Sequence, residues 1–153
     1  MEPVDGTVRV VSEWRSIFET NVIGTVAVTD AFVPLLRLSS DAKIIVISSG
    51  MGSISLTERA PVNPMFPSAS PYSASKAAIN MVTVEWARLL KGIRVWGVDP
   101  GFCATEIAGE FSMTNGRDPR LGADVVRQCL EGERDDCVGK VVWDEDGTGV
   151  RPW

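Results

Sequence analysis

Ile44-Ile45-Val46-Ile47, opened by Lys43 and closed by Ser48, is a run of four β-branched residues without a polar interruption. A strand with one wet face alternates polar and apolar side chains, whereas this run has no face to offer to water. It therefore reads as a strand buried on both sides in a parallel sheet. Two further strands follow the same logic, Ile93-Arg94-Val95-Trp96-Gly97-Val98 and Lys140-Val141-Val142-Trp143, the last before a turn at Asp146-Gly147.

Helical patterns separate the strands. One spans roughly 10–38 through Trp14, Ile17, Phe18, Val22, Val26, Phe32 and Leu36, with apolar positions on more than one face, so it is expected to be covered on two sides. A second spans roughly 71–91 and stops at Gly92, and a third starts at Asp118 or Pro119 and runs through Val125, Val126 and Leu130. Residues 1–8 read as an irregular lead-in, 50–70 as a loop rich in Pro and Ser, and 106–118 as a short helix or flap. The βαβαβ alternation predicts an open parallel α/β sheet with right-handed crossovers.

With 153 residues, 44% of them hydrophobic and 23% charged, residues 1–153 are expected to form one domain with its own core. The net charge of −5 and the scattered placement of 15 basic residues argue against nucleic acid as a partner. Neither a basic start with an apolar segment behind it nor a run of about 18 apolar residues occurs, so export and a membrane span are not expected and the cytoplasm is the default. Cys103, Cys129 and Cys137 form no Cys-x-x-Cys pair and read as free thiols. Histidine is absent, which excludes Ser-His-Asp and Cys-His hydrolases and His-containing zinc sites. Proton transfer is left to Tyr, Lys, Ser, Asp and Glu.

Among these, Tyr72 and Lys76 stand four residues apart at the start of the second helix. With Ser70 as cap and Pro71 at the first helical position, both side chains lie on one face a turn apart. A free phenol, with a pKa of about 10, is a poor base near neutrality. An ammonium about 4 Å away is worth roughly 4 kcal/mol at an effective dielectric of about 20, an upper bound that would bring the phenol's pKa down by about three. The helix N-terminus adds up to about 1 kcal/mol in the same direction.

Three more features fall where an open α/β sheet binds ligands, at the carboxyl ends of its strands or beside them. They are Asn21 inside the first helix, Ser49 after the first strand, and Pro100-Gly101-x-x-x-Thr105 after the second. Read singly, Asn21 could cap a kink, Pro100-Gly101 could be only a turn, and Ser48 competes with Ser49. As an ordered set with Tyr72-x-x-x-Lys76, they resemble the short-chain dehydrogenase/reductase family, of the carbonyl-reductase kind. Phe18-Glu19-Thr20-Asn21-Val22-Ile23-Gly24 and Val46-Ile47-Ser48-Ser49 extend the likeness, which runs from about Glu13 to the C-terminus.

The resemblance implies a three-layer Rossmann-type domain and a hydride transfer between NAD(P) and a small carbonyl or alcohol. NADP is favoured, although no residue of this chain chooses between the two. It also implies roles. Tyr72 would exchange the proton, Lys76 would hold the nicotinamide ribose and Ser49 the substrate oxygen, while Asn21 would anchor a water relay through its backbone. Pro100-Gly101 would lie against the nicotinamide and Thr105 would reach its carboxamide or the pyrophosphate. The helices at 10–38 and 71–91 resemble the family's dimer interface, which implies a homo-oligomer.

Other short patterns do not complete a site. Gly50-Met51-Gly52 lacks a third glycine at Ser55, Ser73-Ala74-Ser75-Lys76 has no companion S-D-N or K-T-G, and Asp144-Glu145-Asp146-Gly147 lacks the other ligands of a calcium loop. The family's N-terminal βαβ half, with its glycine-rich pyrophosphate turn and ribose selector, would precede residue 1. The strand at 43–48 is then expected to expose an apolar edge. Two functions follow: an NAD(P)-dependent oxidoreductase, or a non-catalytic fragment that pairs with a longer homologue.

Overall fold

The computed structural model describes residues 10–61, 69–144 and 149–153. A long helix comes first, in three parts: α1 (Val11–Phe18), a π-helical segment (Glu19–Gly24) and α2 (Thr25–Leu36). Strand β1 (Ala42–Ile47) leads through a short helix α3 (Ile54–Arg59) to α4 (Ser70–Leu89) and β2 (Ile93–Val98). Then come α5 (Gly109–Asn115), α6 (Pro119–Glu131) and β3 (Val141–Val142). The strands form one sheet in the order β1-β2-β3, parallel throughout, with Ala42 opposite Ile93 and Gly97 opposite Val141.

Both faces of the sheet are covered, as the apolar run at 44–47 requires. On one face Ala42, Ile44, Val46, Ile93 and Val95 pack with Ile79 of α4 and with Val22 and Leu36 from the first helix. On the other, Trp96, Val98 and Val142 pack with Val125 and Cys129 of α6 and with Cys137. The result is the expected three-layer arrangement. All three cysteines are free thiols, two of them buried.

Several expectations need correction. The helix at 10–38 packs on α4 and on β1 as expected, but among the described residues its remaining face is uncovered. It has no fully buried residue, and Val28, Phe32 and Leu35 are exposed. The segment 50–70 is not structureless, because Ser53 accepts the Leu56 N–H at 3.2 Å and caps α3. Helix α4 begins one residue earlier than expected, with Ala69 at the cap and Ser70 inside. Pro71 still falls in the first turn, where its missing N–H has no helical partner to lose. The lead-in at 1–8 and the turn at Asp146-Gly147 lie outside the described residues. The flanks of that turn come together, however, with Val142 and Val150 in an antiparallel bridge.

At α6 the local signals and the structure agree. Asp118 is the N-cap, its carboxylate accepting the Arg120 N–H at 2.9 Å, and Pro119 follows. Asp118→Ala is expected to lower stability by about 0.5–2 kcal/mol, read as a shift in the denaturant midpoint.

Strand β1 pairs on one side only among the described residues. Its apolar side chains are mostly buried, but Ile47 is 48% exposed. A groove of about 480 Å³ runs along this open edge, walled by Ile44–Ile47 and by the helical segment carrying Thr20, Asn21 and Val28, with Lys76 at its end.

Candidate active site

Ser49 follows β1, Pro100 and Gly101 follow β2, and Tyr72 and Lys76 rise from the first turns of α4, so the sheet's carboxyl edge gathers them. The Ser49 hydroxyl is a hydrogen-bonding neighbour of the Tyr72 phenol and lowers its proton affinity. Ser49 also accepts the Met51 N–H at 3.2 Å, which fixes its rotamer. Ser48 points the other way: it is buried and donates to Asn80 Oδ1, while Asn80 Nδ2 donates to the Gly52 carbonyl at 3.2 Å. The pleat decides between the two serines, since successive side chains leave a strand on opposite faces.

Lys76 Nζ donates to the Ile47 carbonyl at 2.8 Å and lies 5.6 Å from the centre of the Tyr72 ring. That bond uses one of the ammonium's three donors. Asn21 sits in the π-helical segment, a feature often found at functional positions. Its Nδ2 donates to Ser75 Oγ at 3.0 Å, and Ser75 in turn donates to the Tyr72 carbonyl at 2.7 Å. The Asn21 carbonyl accepts the Thr25 hydroxyl at 2.9 Å. The first helix is thereby tied to the turn of α4 that carries Tyr72.

Electrostatics depart from the sequence-based expectation. Burial pushes the Tyr72 phenol above the ordinary tyrosine range; the Ser49 hydrogen bond pulls it down, and the Asp99 carboxylate pushes it up again. Burial also lowers the pKa of Lys76. The ammonium faces the ring and a backbone carbonyl, so its attraction for a phenolate does not outweigh the loss of water around the phenol.

Tyr72 is the chain's sole tyrosine, so tyrosinate absorbance reports it alone. Its midpoint is expected above the unperturbed 10.0, and a midpoint below that value would show that Lys76 wins. Because the folded pKa is the raised one, the associated stability is whole below about pH 10 and fades as pH rises through the folded midpoint.

Gly101 has φ +74°, which only glycine adopts without strain, and its N–H donates to Asp99 Oδ1 at 3.0 Å. The backbone at 102–104 is held by Arg117: its N–H donates to the Phe102 carbonyl and its carbonyl accepts the Ala104 N–H. Thr105 is exposed, with its carbonyl accepting the Ser112 hydroxyl, so it stands outside the hydrogen-bonded set around Tyr72. Sequence reasoning missed Ser75, Asn80, Asp99 and Arg151. Only Asp99 carried a usable signal, as a carboxylate at the carboxyl end of a strand.

The arrangement is a phenol, a hydroxyl and an ammonium gathered at the carboxyl edge of a parallel α/β sheet. The profile described as short chain dehydrogenase matches residues 8–116, and the chain belongs to this short-chain dehydrogenase/reductase family. The short-chain dehydrogenase/reductase tropE of Talaromyces stipitatus is 37% identical over an aligned length of 146 residues, and the match covers 84% of this chain and 55% of that protein. Human 17-beta-hydroxysteroid dehydrogenase type 2 is 38% identical over 109 residues, 70% of this chain and 25% of that one. The NADPH-bound carbonyl reductase from chicken fatty liver has the same fold, with a TM-score of 0.77 at 22% identity over 99% of this chain and 61% of its own. The carbonyl reductase Sniffer of D. melanogaster gives 0.72 at 21% identity, over 95% of this chain and 59% of its own. The chain thus spans about half the length of tropE. Among the described residues no helix is long and apolar enough to cross a membrane.

Proposed function

We propose that this chain carries the proton-transfer part of an NAD(P)-dependent carbonyl/alcohol oxidoreductase site. The observation that carries the reading is Tyr72 and Lys76 one turn apart at the start of α4, with the Lys76 ammonium 5.6 Å from the Tyr72 ring centre and anchored on the Ile47 carbonyl, at the carboxyl edge of the sheet that Ser49 follows. In carbonyl reduction Tyr72 Oη would donate its proton to the substrate oxygen while the Ser49 hydroxyl holds that oxygen in place. In alcohol oxidation the same atoms would run the step backwards. Lys76, with two donors beyond its Ile47 bond, would hold the ribose hydroxyls, and Asn21 would steady Tyr72 through Ser75.

The fit to a nicotinamide cofactor is partial. Pro100 and Gly101 are only partly buried, and Gly101 leaves its backbone open to a flat ring. Thr105 would meet the carboxamide or the pyrophosphate. The glycine-rich turn that would cradle the phosphates has no counterpart in these 153 residues. When bound, the nicotinamide would supply the hydride; the chain supplies position and the proton. NADP rather than NAD would follow the NADPH held by the chicken enzyme. A small carbonyl or alcohol is the proposed substrate. A second copy is the proposed partner, through the exposed Val28, Phe32 and Leu35 of α2 and Met81 and Leu89 of α4.

Reduced nicotinamide mononucleotide (NMNH) tests the reading, because it needs only the nicotinamide end of the site. NMNH is expected to bind weakly, NADPH hardly better, and Lys76→Met to abolish both, as measured by fluorescence titration. Binding of NADPH orders of magnitude tighter than NMNH would overturn the partial-site reading. Absence of NMNH binding would reject a cofactor site in this chain.

A further inference from the structure

Arg151 comes from the last residues of the chain, yet it reaches the floor of the site. Its Nε donates to Asp99 Oδ2 at 2.6 Å, and its guanidinium lies over Trp143, 3.2 Å from the ring centre. The backbone around it is fixed as well: the Arg151 N–H donates to the Val141 carbonyl at 2.8 Å, and the Trp153 carbonyl accepts the Ser55 N–H at 3.0 Å. The C-terminal segment is therefore folded back across the carboxyl ends of β3 and β2 as far as α3.

Asp99 is 3% exposed, and its second oxygen holds the Gly101 N–H. The pair is packed directly against the residue after Ser49. A Cβ placed on Gly50 would lie 3.0 Å from Asp99 Oδ2 and 3.3 Å from Arg151 Cζ. The Asp99 carboxylate at the end of β2 bears on the phenol, Arg151 from the C-terminal segment stands paired behind it, and Lys76 lies 5.6 Å from the ring centre on the phenol's own helix. A buried carboxylate without a counter-charge would oppose formation of a phenolate beside it, and a paired one opposes it less.

We propose that Arg151 is a positioning residue for Tyr72: it neutralises Asp99 and pins the Asp99-Pro100-Gly101 turn, so that the phenol ionises beside a compensated carboxylate. The inference rests on the reading of Tyr72 as the proton-transfer group, but its test requires no turnover. Tyrosinate absorbance of the full chain is titrated for wild type, Arg151→Gln, Asp99→Asn and the double variant, with circular dichroism confirming the fold of each.

Arg151→Gln is expected to raise the midpoint by about half a pH unit or more, and Asp99→Asn to lower it. With Asn at position 99 the Arg151 substitution is expected to have little further effect. Arg151→Lys, which keeps the charge, is expected to restore the wild-type midpoint even where stability is lost, a rescue that a purely structural clamp would not produce. An unchanged midpoint in a folded Arg151→Gln variant, or equal shifts in both Asp99 backgrounds, overturns the proposal. If Arg151→Gln does not fold, Asp99→Asn decides, and no fall in its midpoint overturns the proposal. A chain that fails to bind NMNH would sink the cofactor reading while leaving this result standing.

Discussion

Replacing Tyr72 with Phe is expected to lower nicotinamide-dependent carbonyl reduction by about 10²–10⁴-fold, the span covered by loss of one positioned acid or base. The substitution deletes a single oxygen from a half-buried ring and keeps the ring's contacts. Losing the hydroxyl's interaction with Ser49 is expected to change stability by at most about 1 kcal/mol, so the folded chain should persist. The loss should appear in kcat, because the proton moves in the transition state, with NMNH affinity near that of wild type. Undiminished turnover by Tyr72→Phe would remove Tyr72 from the mechanism. A parallel loss of NMNH affinity would instead assign it to binding.

Gly52→Val is expected to be the most damaging change away from the reacting groups. Gly52 is buried in the turn after Ser49, and a Cβ there would stand 2.7 Å from the Lys76 carbonyl carbon and 2.9 Å from both the Lys76 carbonyl oxygen and Asn80 Nδ2. Helix backbone cannot step aside as a flexible side chain can. The β1–α4 junction would have to open, at a cost of about 1–3 kcal/mol or more. Because Ser49 and Lys76 sit on the two sides of that junction, activity should fall together with stability. Gly92→Ala is the comparison: φ is +81° but nothing lies within 4 Å, so only backbone strain of roughly 1 kcal/mol is expected. Similar denaturant midpoints for the two variants would show that the packing argument at Gly52 is wrong.

Much of the fold could be read from neighbours in the chain. Ile44–Ile47 announces a strand with no wet face, and the structure covers both sides of it with helices. Asp118 and Pro119 announce the start of α6, and Asp118 does cap it. The first helix shows where such reading stops. Its apolar residues on several faces suggested two covered sides, which α4 and β1 supply, but periodicity reports which residues avoid water and not which partner covers them. Among the described residues Val28, Phe32 and Leu35 remain exposed. The short helix at Ile54–Arg59 was hidden among loop-forming residues, because one hydroxyl, that of Ser53, is enough to cap a turn.

At the candidate site the same division holds. The types and order of Asn21, Ser49, Tyr72, Lys76 and Pro100-Gly101 were legible from the sequence, and local rules placed Tyr72 and Lys76 one turn apart on a helix start. Spacing along the chain does not determine how much water surrounds a phenol, or which charges arrive from segments tens of residues away. The tertiary structure turned Ser48 toward Asn80 and Ser49 toward Tyr72, bonded Lys76 to the Ile47 carbonyl, and brought Arg151 onto Asp99. Local propensities and side-chain periodicity thus determined where the strands and helices lie and which side chains share a face. The proton affinity of Tyr72 was decided only by the fold, because burial and through-space charge depend on the packing of the whole chain.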